Sequence, residues 1–516
     1  MSYDVIVIGA GSAGCVVAAR LSEDPSCEVL LLEAGPDYPT REQLPLDIAD
    51  GTRLPSDRSL DHDWGLASTA GRVGERSVPL PRGWVVGGSS AVNGTFALRG
   101  FPEDYDAWEA AGNPGWGFDA VGDAFCRLES DLDFPDRPWH GADGPVPVRR
   151  YPSEERSVLA DAFLEAAGSA GHPEVADHNE PGAVGAGPLP SNTVDRLRMS
   201  AALTHLAPAR ERPNLTVQGR APVDRIEIAA GRARRVRLTD GEQIAAQTVV
   251  LAAGAYASPA VLWRSGVGPA DELAQLGIDA VAPLPGVGSG LVDHPLVSID
   301  VAVLREPAVR PTYQSMITWR SHGSDGPPDL HLFACGPFQI RELPEDQQLA
   351  PLCVALLDPV SRGRVRLTSP DPTAAPAIDP GHLADPGDLE PLLAGVEQAR
   401  AILATEPLRS HVTGRERSPG AGTTTEADLR AWLHQQVRTY HHPVGTCRMG
   451  PDPDGGAVVD ARGRLHGAEG LSVMDASVMP AIPRANTNLP TMMLAERLAA
   501  ALTGQAPQTD TRAGVM

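Results

Sequence analysis

The chain has 516 residues, enough to bury large hydrophobic cores and to form two or more domains. Its formal net charge of −23 argues against nucleic acids and anionic membranes as partners. No apolar run reaches the length of a membrane-spanning helix, so we expect no integral membrane segment. All 43 basic residues are arginine, which excludes chemistry that needs a lysine, such as a P-loop or a Schiff base.

The first 35 residues predict a dinucleotide-binding unit. Asp4–Ile8 is a short apolar run typical of a buried strand, Cys15–Leu21 has a helical pattern, and 28–32 predicts a second strand. Between the first strand and the helix lies a G-x-G-x-x-G motif at residues 9–14, and Glu33 follows the second strand. The glycines allow a pyrophosphate to approach the backbone, the helix start offers free N–H groups, and Glu33 can accept hydrogen bonds from a ribose. The unit leaves FAD and NAD as alternatives.

The cysteines and histidines give no metal framework. His140, His172 and His178 lack the spacing of metal ligands, so we expect structural or surface roles for them and no bound metal. The first predicted strand begins at Asp4, which leaves no room for a signal peptide, and reduced thiols fit a cytoplasmic enzyme. The six cysteines show no C-x-x-C spacing: Cys15, Cys27, Cys126, Cys335, Cys353 and Cys447.

A second glycine-rich block spans 81–94, Pro-Arg-Gly-Trp-Val-Val-Gly-Gly-Ser-Ser-Ala-Val-Asn-Gly. Its small residues let backbone lie against a flat ligand, and Ser89 and Asn93 can form hydrogen bonds to it. Here the sequence resembles the glucose–methanol–choline (GMC) flavin oxidoreductases, whose first signature has the form P-R-G-x-x-x-G-G-[ST]-S-x-x-N-G. The resemblance implies FAD. Some members link FAD to a histidine at the position of Val92, so the resemblance implies a non-covalent cofactor here.

Further blocks carry the same resemblance. Residues 255–268 match the second family signature, and 286–295 match a G-x-N-L-x-D-H-P stretch, with Ser289 at the usual asparagine. The C-terminal blocks at 438–450 and 475–494 match as well. The resemblance implies an α/β protein, α+β overall, in which a Rossmann-like βαβ domain binds FAD and a second domain, built on an antiparallel sheet, binds the substrate.

The remaining patterns predict elements and boundaries. Helices are predicted over 102–128, 387–405 and 425–437, and alternating patches at 296–303, 329–333, 353–357 and 364–367 predict antiparallel strands. Aromatic residues make up only 4% of the chain, so no large aromatic cage is expected. We predict an FAD domain from residues 1–148, 196–296 and 435–516, and a substrate domain from residues 149–195 and 297–434.

The C-terminal blocks contain the catalytic candidates. In the family the histidine directly before Pro-Val-Gly is the active-site base, which implies His442, and the second site position falls on Asn486. A neutral imidazole can accept a hydroxyl proton near neutral pH, and an amide can orient the oxygen without changing charge. The resemblance also implies a set of cofactor-binding residues: Gly9, Gly11, Ser12, Ala13, Gly14, Glu33, Ala34, Val86, Gly88, Ser89, Asn93, Gly94, Val223, His441, Asp475, Ala476, Thr487 and Asn488.

The predicted function is FAD-dependent oxidation of a CH–OH group to an aldehyde or ketone, with a small-molecule alcohol as substrate. The sequence does not distinguish oxygen from a quinone or carrier as the electron acceptor, the latter as in mycofactocin-associated dehydrogenases. A non-redox lyase or a photodecarboxylase of the same family remains an alternative. The alcohol itself stays open among sugars, aliphatic alcohols, aryl alcohols and polyols.

Overall fold

The computed structural model describes residues 2–53, 60–69, 76–306, 311–321 and 326–504. The helices in these ranges are α1 (Ser12–Leu21), α2 (Leu46–Ala49), α3 (Pro102–Ala110), α4 (Phe118–Leu128), α5 (Val158–Ser169), α6 (Ala207–Ala209), α7 (Gly254–Arg264), α8 (Ala270–Gln275), α9 (Leu389–Leu403), α10 (Leu408–His411), α11 (Glu426–Gln436) and α12 (Asn488–Thr503).

The strands in the same ranges are β1 (Ser2–Ile8), β2 (Val29–Leu32), β3 (Glu129–Asp131), β4 (Val146–Arg150), β5 (Gly185–Pro188), β6 (Pro190–Ser191), β7 (Thr193–Val194), β8 (Leu197–Arg198), β9 (Leu215–Gln218), β10 (Val223–Ala229), β11 (Arg232–Leu238), β12 (Gln243–Leu251), β13 (Val267–Gly268), β14 (Ala282–Pro283), β15 (Ser289–Leu291), β16 (Pro295–Leu304), β17 (Ser315–Trp319), β18 (Leu330–Ala334), β19 (Gln347–Leu356), β20 (Gly363–Arg366), β21 (Ala377–Asp379), β22 (Arg438–Thr439) and β23 (Leu471–Val473).

The first large sheet carries the glycine motif. β1 pairs in parallel with β12 on one side and β2 on the other, while β9 and β23 extend the parallel part. β10 and β11 add an antiparallel edge and complete seven strands. All four residues of β2 are buried, as expected for a parallel strand covered on both faces. β1 leads into α1 and then β2, so the predicted βαβ unit is confirmed.

The second large sheet is antiparallel throughout, with the strand order β22-β16-β19-β18-β17-β5. Side chains alternate between its faces because a strand has a period of two residues. Val297 and Ile299 therefore join a core with residues of α5, α9 and α11, whereas Leu296 packs on the opposite face with Phe96 and Tyr440. The predicted antiparallel sheet is confirmed, and one of its faces is turned towards the C-terminal blocks.

The predicted domain ranges stay a prediction. Two separate hydrophobic cores surround the two large sheets, as a division into two units requires. One strand crosses the predicted boundary: β22 lies in the range assigned to the FAD domain, yet it pairs with β16 of the second sheet.

One predicted helix is wrong in its extent. The pattern at 102–128 forms two helices, α3 and α4, separated by residues 111–117. Gly112 and Gly115 have φ values of +91° and +82° in this break, a conformation that glycine tolerates and that a helix cannot contain. The helices predicted at 387–405 and 425–437 correspond to α9 and α11. No helix within the described ranges is both long and apolar enough to cross a membrane.

Candidate active site

The G-x-G-x-x-G motif forms the turn between β1 and α1. Gly9 has a φ of +93°, and a Cβ atom there would lie 2.6 Å from the Ala252 carbonyl oxygen. A Cβ on Gly14 would lie 1.8 Å from the carbonyl oxygen of Gly9. A Cβ on Gly11, in contrast, would meet only the Cα of Gly88, at 3.9 Å. Packing therefore explains why Gly9 and Gly14 lack side chains, whereas Gly11 borders space that the protein does not fill.

The second glycine-rich block lies directly against this turn. The Gly87 N–H donates to the Ala10 carbonyl at 2.7 Å. Gly88 has a φ of +52°, and a Cβ there would come within 2.5 Å of the Gly11 Cα. The Val86 N–H donates to the Pro36 carbonyl at 2.9 Å. Two blocks that lie some 75 residues apart in the sequence thus form one glycine-lined cradle at the start of α1.

Glu33 closes one side of the cradle. Its Oε2 accepts the Ala10 N–H and its Oε1 accepts the Gly35 N–H, both at 2.9 Å. Burial raises the pKa of this carboxyl to about 7, although those two hydrogen bonds act in the opposite direction. The Ala221 N–H donates to the Glu33 carbonyl, so the start of β10, where Val223 lies, is held beside Glu33 and Ala34.

The last block reaches the same turn. The Ser12 hydroxyl donates to Asn488 Oδ1 at 2.8 Å, and Asn488 opens α12 directly after Thr487. The Nδ2 of Asn488 is buried and has no hydrogen-bond partner among the described residues. An unpaired buried donor carries a free-energy penalty, so a hydrogen bond from this amide to a ligand oxygen would be favourable.

Asp475 and Ala476 lie near the carboxyl end of β12, the end that adjoins the glycine turn after β1. The Asp475 carboxylate accepts the Gly254 N–H at 2.8 Å, the Ser258 hydroxyl at 2.6 Å and the Ser477 N–H at 2.8 Å. It therefore holds the start of α7 against the turn that follows β23. Burial raises the pKa of Asp475. Ala476 is only half-buried, and its carbonyl accepts the Gly445 N–H.

Other residues predicted to bind the cofactor make local contacts within the protein. Ser89 Oγ accepts the Gly83 N–H at 3.2 Å, and Asn93 Oδ1 accepts the Thr95 N–H at 3.0 Å. A Cβ on Gly94 would meet the Tyr313 ring at 2.8 Å. Ala13 is buried in α1. His441 has a φ of +72° and an exposed side chain, and its carbonyl accepts a hydrogen bond from the guanidinium of Arg82 at 2.9 Å.

His442 and Asn486, the two catalytic candidates, are in direct contact. The Nε2 of His442 lies 3.1 Å from the Nδ2 of Asn486. Both residues are buried, with exposed fractions of 7% and 8%. The Asp293 carboxylate accepts the His442 backbone N–H at 2.9 Å and so fixes the main chain beneath the ring. Burial holds the pKa of His442 well below its usual range, so the imidazole is neutral at physiological pH and can accept a proton.

Sequence reasoning missed two side chains that complete this pair. His294 Nδ1 lies 3.0 Å from His442 Nδ1. The Tyr440 ring packs against the His442 ring at 4.4 Å between centroids, and its hydroxyl points at Asn486 Oδ1 at 3.5 Å. Position 294 was visible in the D-H-P block, but no sequence signal connects it with residue 442, which follows 148 residues later.

Aromatic residues concentrate in the buried cluster beside the pair, although the chain contains few of them. Phe333 stacks on Tyr440 at 5.3 Å between centroids, and Phe96 packs edge-on against Phe333 at 5.4 Å. Tyr313 approaches Phe96 at 4.9 Å. A low aromatic content does not prevent four rings, drawn from distant segments, from lining one region.

His140 lies outside this site in a buried group of charges. Glu129, Asp131 and His140 offer ligand atoms within 4.8 Å of one another, which the spacing of the sequence did not predict. Arg150 donates to Asp131 at 2.7 Å, and His140 Nε2 lies 2.8 Å from an Asp177 carboxylate oxygen. Arg150 pairs with Asp131 and Asp177, and Arg99 pairs with Glu129, so the group is an ion cluster that ties β3, β4 and the segment near residue 177 together.

The fold and the site define a flavin-dependent oxidoreductase. Three observations fit a bound dinucleotide: the free space beside Gly11, the unpaired Nδ2 of Asn488, and the N–H groups at the start of α1. The His442–Asn486 pair supplies a proton acceptor and a hydrogen-bond donor next to the block that holds Asn488.

Comparison with known proteins agrees with this class. The sequence matches the GMC oxidoreductase family models, the N-terminal one over residues 3–296 and the C-terminal one over residues 359–495. It is 36% identical over 545 aligned residues to oxygen-dependent choline dehydrogenase 1 of Chromohalobacter salexigens, covering 98% of this chain and 95% of that protein. It is 35% identical over 536 aligned residues to a 5-(hydroxymethyl)furfural oxidase of Methylovorus sp., covering 98% and 99%.

A solved structure shows the same likeness. The crystal structure of pyridoxine 4-oxidase from Mesorbium loti superposes with a TM-score of 0.91 at 32% identity, covering 98% of this chain and 100% of that one. The chain belongs to the GMC oxidoreductase family. Its cofactor is FAD, and the enzyme is an alcohol oxidase or dehydrogenase in type.

Proposed function

We propose that this enzyme oxidises the CH–OH group of a small alcohol to the aldehyde or ketone at the His442–Asn486 pair. The observation that carries the proposal is the 3.1 Å contact between His442 Nε2 and Asn486 Nδ2 at the buried end of the cradle. The relatives named above act on alcohols by their names: choline, 5-(hydroxymethyl)furfural and pyridoxine. Those names support the class of substrate.

The two side chains divide the work on the hydroxyl group. A bound alcohol replaces the direct hydrogen bond between Asn486 and His442. Its oxygen accepts from Asn486 Nδ2, and its O–H donates to His442 Nε2, which takes the proton as the O–H bond breaks. The amide keeps its charge throughout, so it orients the oxygen without competing for the proton. Burial of both groups excludes water and keeps His442 neutral before the reaction. FAD, when bound, supplies acceptance of the hydride from the same carbon.

The cofactor is proposed to lie along the cradle. Gly11, against which Gly88 packs, leaves the backbone open for the diphosphate. Ser12 and Asn488 offer polar groups beside it, and Glu33 faces the ribose of the adenosine half. Val92 carries no atom able to bond to the flavin, which supports non-covalent binding. The remaining proposed contacts are Gly9, Ala13, Gly14, Ala34, Val86, Ser89, Asn93, Gly94, Val223, His441, Asp475, Ala476 and Thr487.

The electron acceptor and location are further proposals. Oxygen is favoured over a quinone or carrier protein, because the similar proteins are named oxygen-dependent or oxidases. All six cysteines are free thiols, although Cys335 and Cys353 lie on adjacent segments of the second sheet, which supports a reducing, cytoplasmic location.

The aromatic region supports a preference within the alcohols. Phe96, Phe333 and Tyr440 belong to one buried cluster with Leu296 and Ala485, and Tyr440 connects that cluster with His442. Alcohols with an apolar or aromatic body gain burial against such a surface, whereas sugars would leave hydroxyl groups unpaired.

The test is anaerobic reduction of the bound flavin. The holoenzyme is mixed with a panel of aryl, aliphatic and polyol substrates, and bleaching of the visible band of oxidised FAD is followed in the wild type and in His442→Ala. His434→Ala, on the far helix α11, serves as the matched control for removal of a histidine.

We expect bleaching by one class of alcohol, its loss by at least about a hundredfold in His442→Ala, and normal rates in His434→Ala. Admission of air then separates an oxidase from a dehydrogenase. A protein that retains FAD and is bleached by no alcohol would refute the proposal and favour a lyase or a photoenzyme.

A further inference from the structure

His442 is the middle member of a chain of three side chains. Asn486 Nδ2 lies 3.1 Å from its Nε2, and His294 Nδ1 lies 3.0 Å from its Nδ1. Resting on the proposed function, we propose that His294 is a positioning residue, which accepts the Nδ1 proton of His442 and so keeps Nε2 free to take the proton of the alcohol. Neither the family match nor the sequence blocks assign a role to this contact.

The positions of the protons on these three side chains can be assigned by starting from Asn486. An amide nitrogen only donates, so with Asn486 Nδ2 facing it, the Nε2 of His442 must be the unprotonated nitrogen. The orientation of the Asn486 amide follows from Tyr440, whose hydroxyl points at Oδ1. A reversed amide would place two donors in front of that hydroxyl and leave its own proton without an acceptor.

The remaining proton of His442 therefore lies on Nδ1 and points at His294. A neutral imidazole carries one proton, and the one available acceptor for it at 3.0 Å is His294 Nδ1. His294 is completely buried, and burial lowers its pKa to about 3, so it is neutral as well. Its own proton then lies on Nε2. This arrangement of protons satisfies all three contacts and leaves the Nε2–H of His294 without a hydrogen-bond partner among the described residues.

Hydrogen bonds of the main chain hold the segments that carry the two histidines side by side. The Tyr440 N–H donates to the His294 carbonyl, and the Asp293 carboxylate accepts the His442 N–H at 2.9 Å. The Thr439 hydroxyl also donates to Asp293. The start of β16 and the end of β22 are thereby joined beside the imidazole pair, which fixes the main chain that carries each of the two rings.

A neutral ring in this place has a chemical consequence. In sites where a carboxylate accepts the second proton of a catalytic histidine, the acceptor also stabilises the imidazolium by its charge. Here the Asp293 carboxylate contacts the main chain of His442, and the ring faces an uncharged imidazole. His294 therefore fixes orientation and tautomer, and it adds little to the basicity of His442.

The test compares two substitutions of similar size, His294→Asn and His294→Leu. The Asn Oδ1 can occupy the place of the imidazole Nδ1 and accept the same proton, whereas Leu fills the space and accepts nothing. Both holoenzymes are first checked for FAD content and melting temperature. The rate of anaerobic flavin reduction at saturating alcohol and the apparent affinity for the alcohol are then measured separately.

We expect His294→Leu to reduce flavin about 10- to 100-fold more slowly, since the Nδ1 proton of His442 loses its acceptor and the ring is no longer held in the orientation and tautomer that present Nε2 to the alcohol. Its affinity for the alcohol should stay within about threefold, and His294→Asn should recover most of the rate. Equal losses in both variants, or no loss in either, would overturn the proposal, because packing alone would then account for His294.

A second measurement needs no substrate. In the wild-type holoenzyme with 15N-labelled histidine, the NMR signals of His442, assigned by their loss in His442→Asn, should show a protonated Nδ1 and an unprotonated Nε2. The reverse tautomer would overturn the proposal. This result is independent of whether any tested alcohol bleaches the flavin, so it stays interpretable if the proposed function fails.

Discussion

Replacement of Gly11 by alanine tests the cradle without damaging the protein around it. Gly11 has φ −79° and ψ −162°, an extended conformation that alanine adopts freely. The added Cβ would meet only the Gly88 Cα, at an ordinary contact distance of 3.9 Å. Gly11 is the N-cap of α1, where alanine is a poorer residue, so we expect the apoprotein to lose about 1 kcal/mol or less.

The substitution should instead weaken the binding of FAD. The methyl group would occupy the space that we assign to the diphosphate, and overpacking of a filled site costs about 1–3 kcal/mol. Because about 1.4 kcal/mol corresponds to a tenfold change in affinity, FAD should bind about 10- to 100-fold more weakly. The assay is titration of the apoprotein with FAD by flavin fluorescence, alongside thermal melting of the same apoprotein.

Gly14→Ala is the matched control. Its Cβ would lie 1.8 Å from the Gly9 carbonyl oxygen, a backbone atom that cannot move aside without displacing β1 or α1. We expect the apoprotein of Gly14→Ala to melt far below the wild type, in contrast with Gly11→Ala. The reasoning is refuted if Gly11→Ala binds FAD within about threefold of the wild type, or if the two apoproteins are equally destabilised.

Three further outcomes are expected. Burial raises the pKa of Asp293 from 3.8 to about 6, so between these pH values the folded state keeps a proton that the unfolded state has lost. The free energy of unfolding of the wild type should therefore fall, relative to that of Asp293→Asn, by about 2–3 kcal/mol as the pH rises from 4 to 6. Urea denaturation at each pH measures this difference. Arg150→Met leaves buried carboxylates uncompensated and should cost about 3–5 kcal/mol, whereas Arg430→Met, at an exposed ion pair, should change little. Tyr440→Phe removes a long hydrogen bond to Asn486 and should slow flavin reduction by only about two- to fivefold.

Each of these outcomes has a result that contradicts it. Parallel pH profiles for the wild type and Asp293→Asn would show that the carboxyl is ionised in the folded state. Equal urea midpoints for Arg150→Met and the wild type would mean that the ion cluster is not compensated by its arginines. A loss in Tyr440→Phe as large as that in His442→Ala would show that the phenol itself takes part in proton removal.

Local signals predicted the cradle well. The positions of Gly9, Gly11 and Gly14 follow from the short-range requirements of a strand, a tight turn and a helix start, all written within a dozen residues. Local residues also indicated the break at 111–117, since Gly112, Asn113, Pro114 and Gly115 favour a turn. The prediction of a single helix gave more weight to the apolar pattern on both sides of these residues.

Contacts between distant segments were not predictable. His294 and His442 meet because β16 pairs with β22 in a register that places Leu296 opposite Arg438, and nothing in either segment specifies that register. The ion cluster around His140 forms in the same way, since β3 and β4 bring Asp131 and Arg150 together from opposite ends of a long connection. Pairing between distant strands brings the residues of both sites together, and this pairing cannot be predicted from a single sequence.

The hydrogen bond between Ser12 and Asn488 joins residues 476 positions apart, and Arg20 and Glu496 form an ion pair across the same two helices. During synthesis α1 leaves the ribosome long before α12, so the contacts between the glycine turn and α12 form only late in synthesis. We therefore expect the complete cofactor site, with both Ser12 and Asn488 in place, to form only when nearly the whole chain has been synthesised. A fragment that ends before residue 488 should bind FAD more weakly than the full chain.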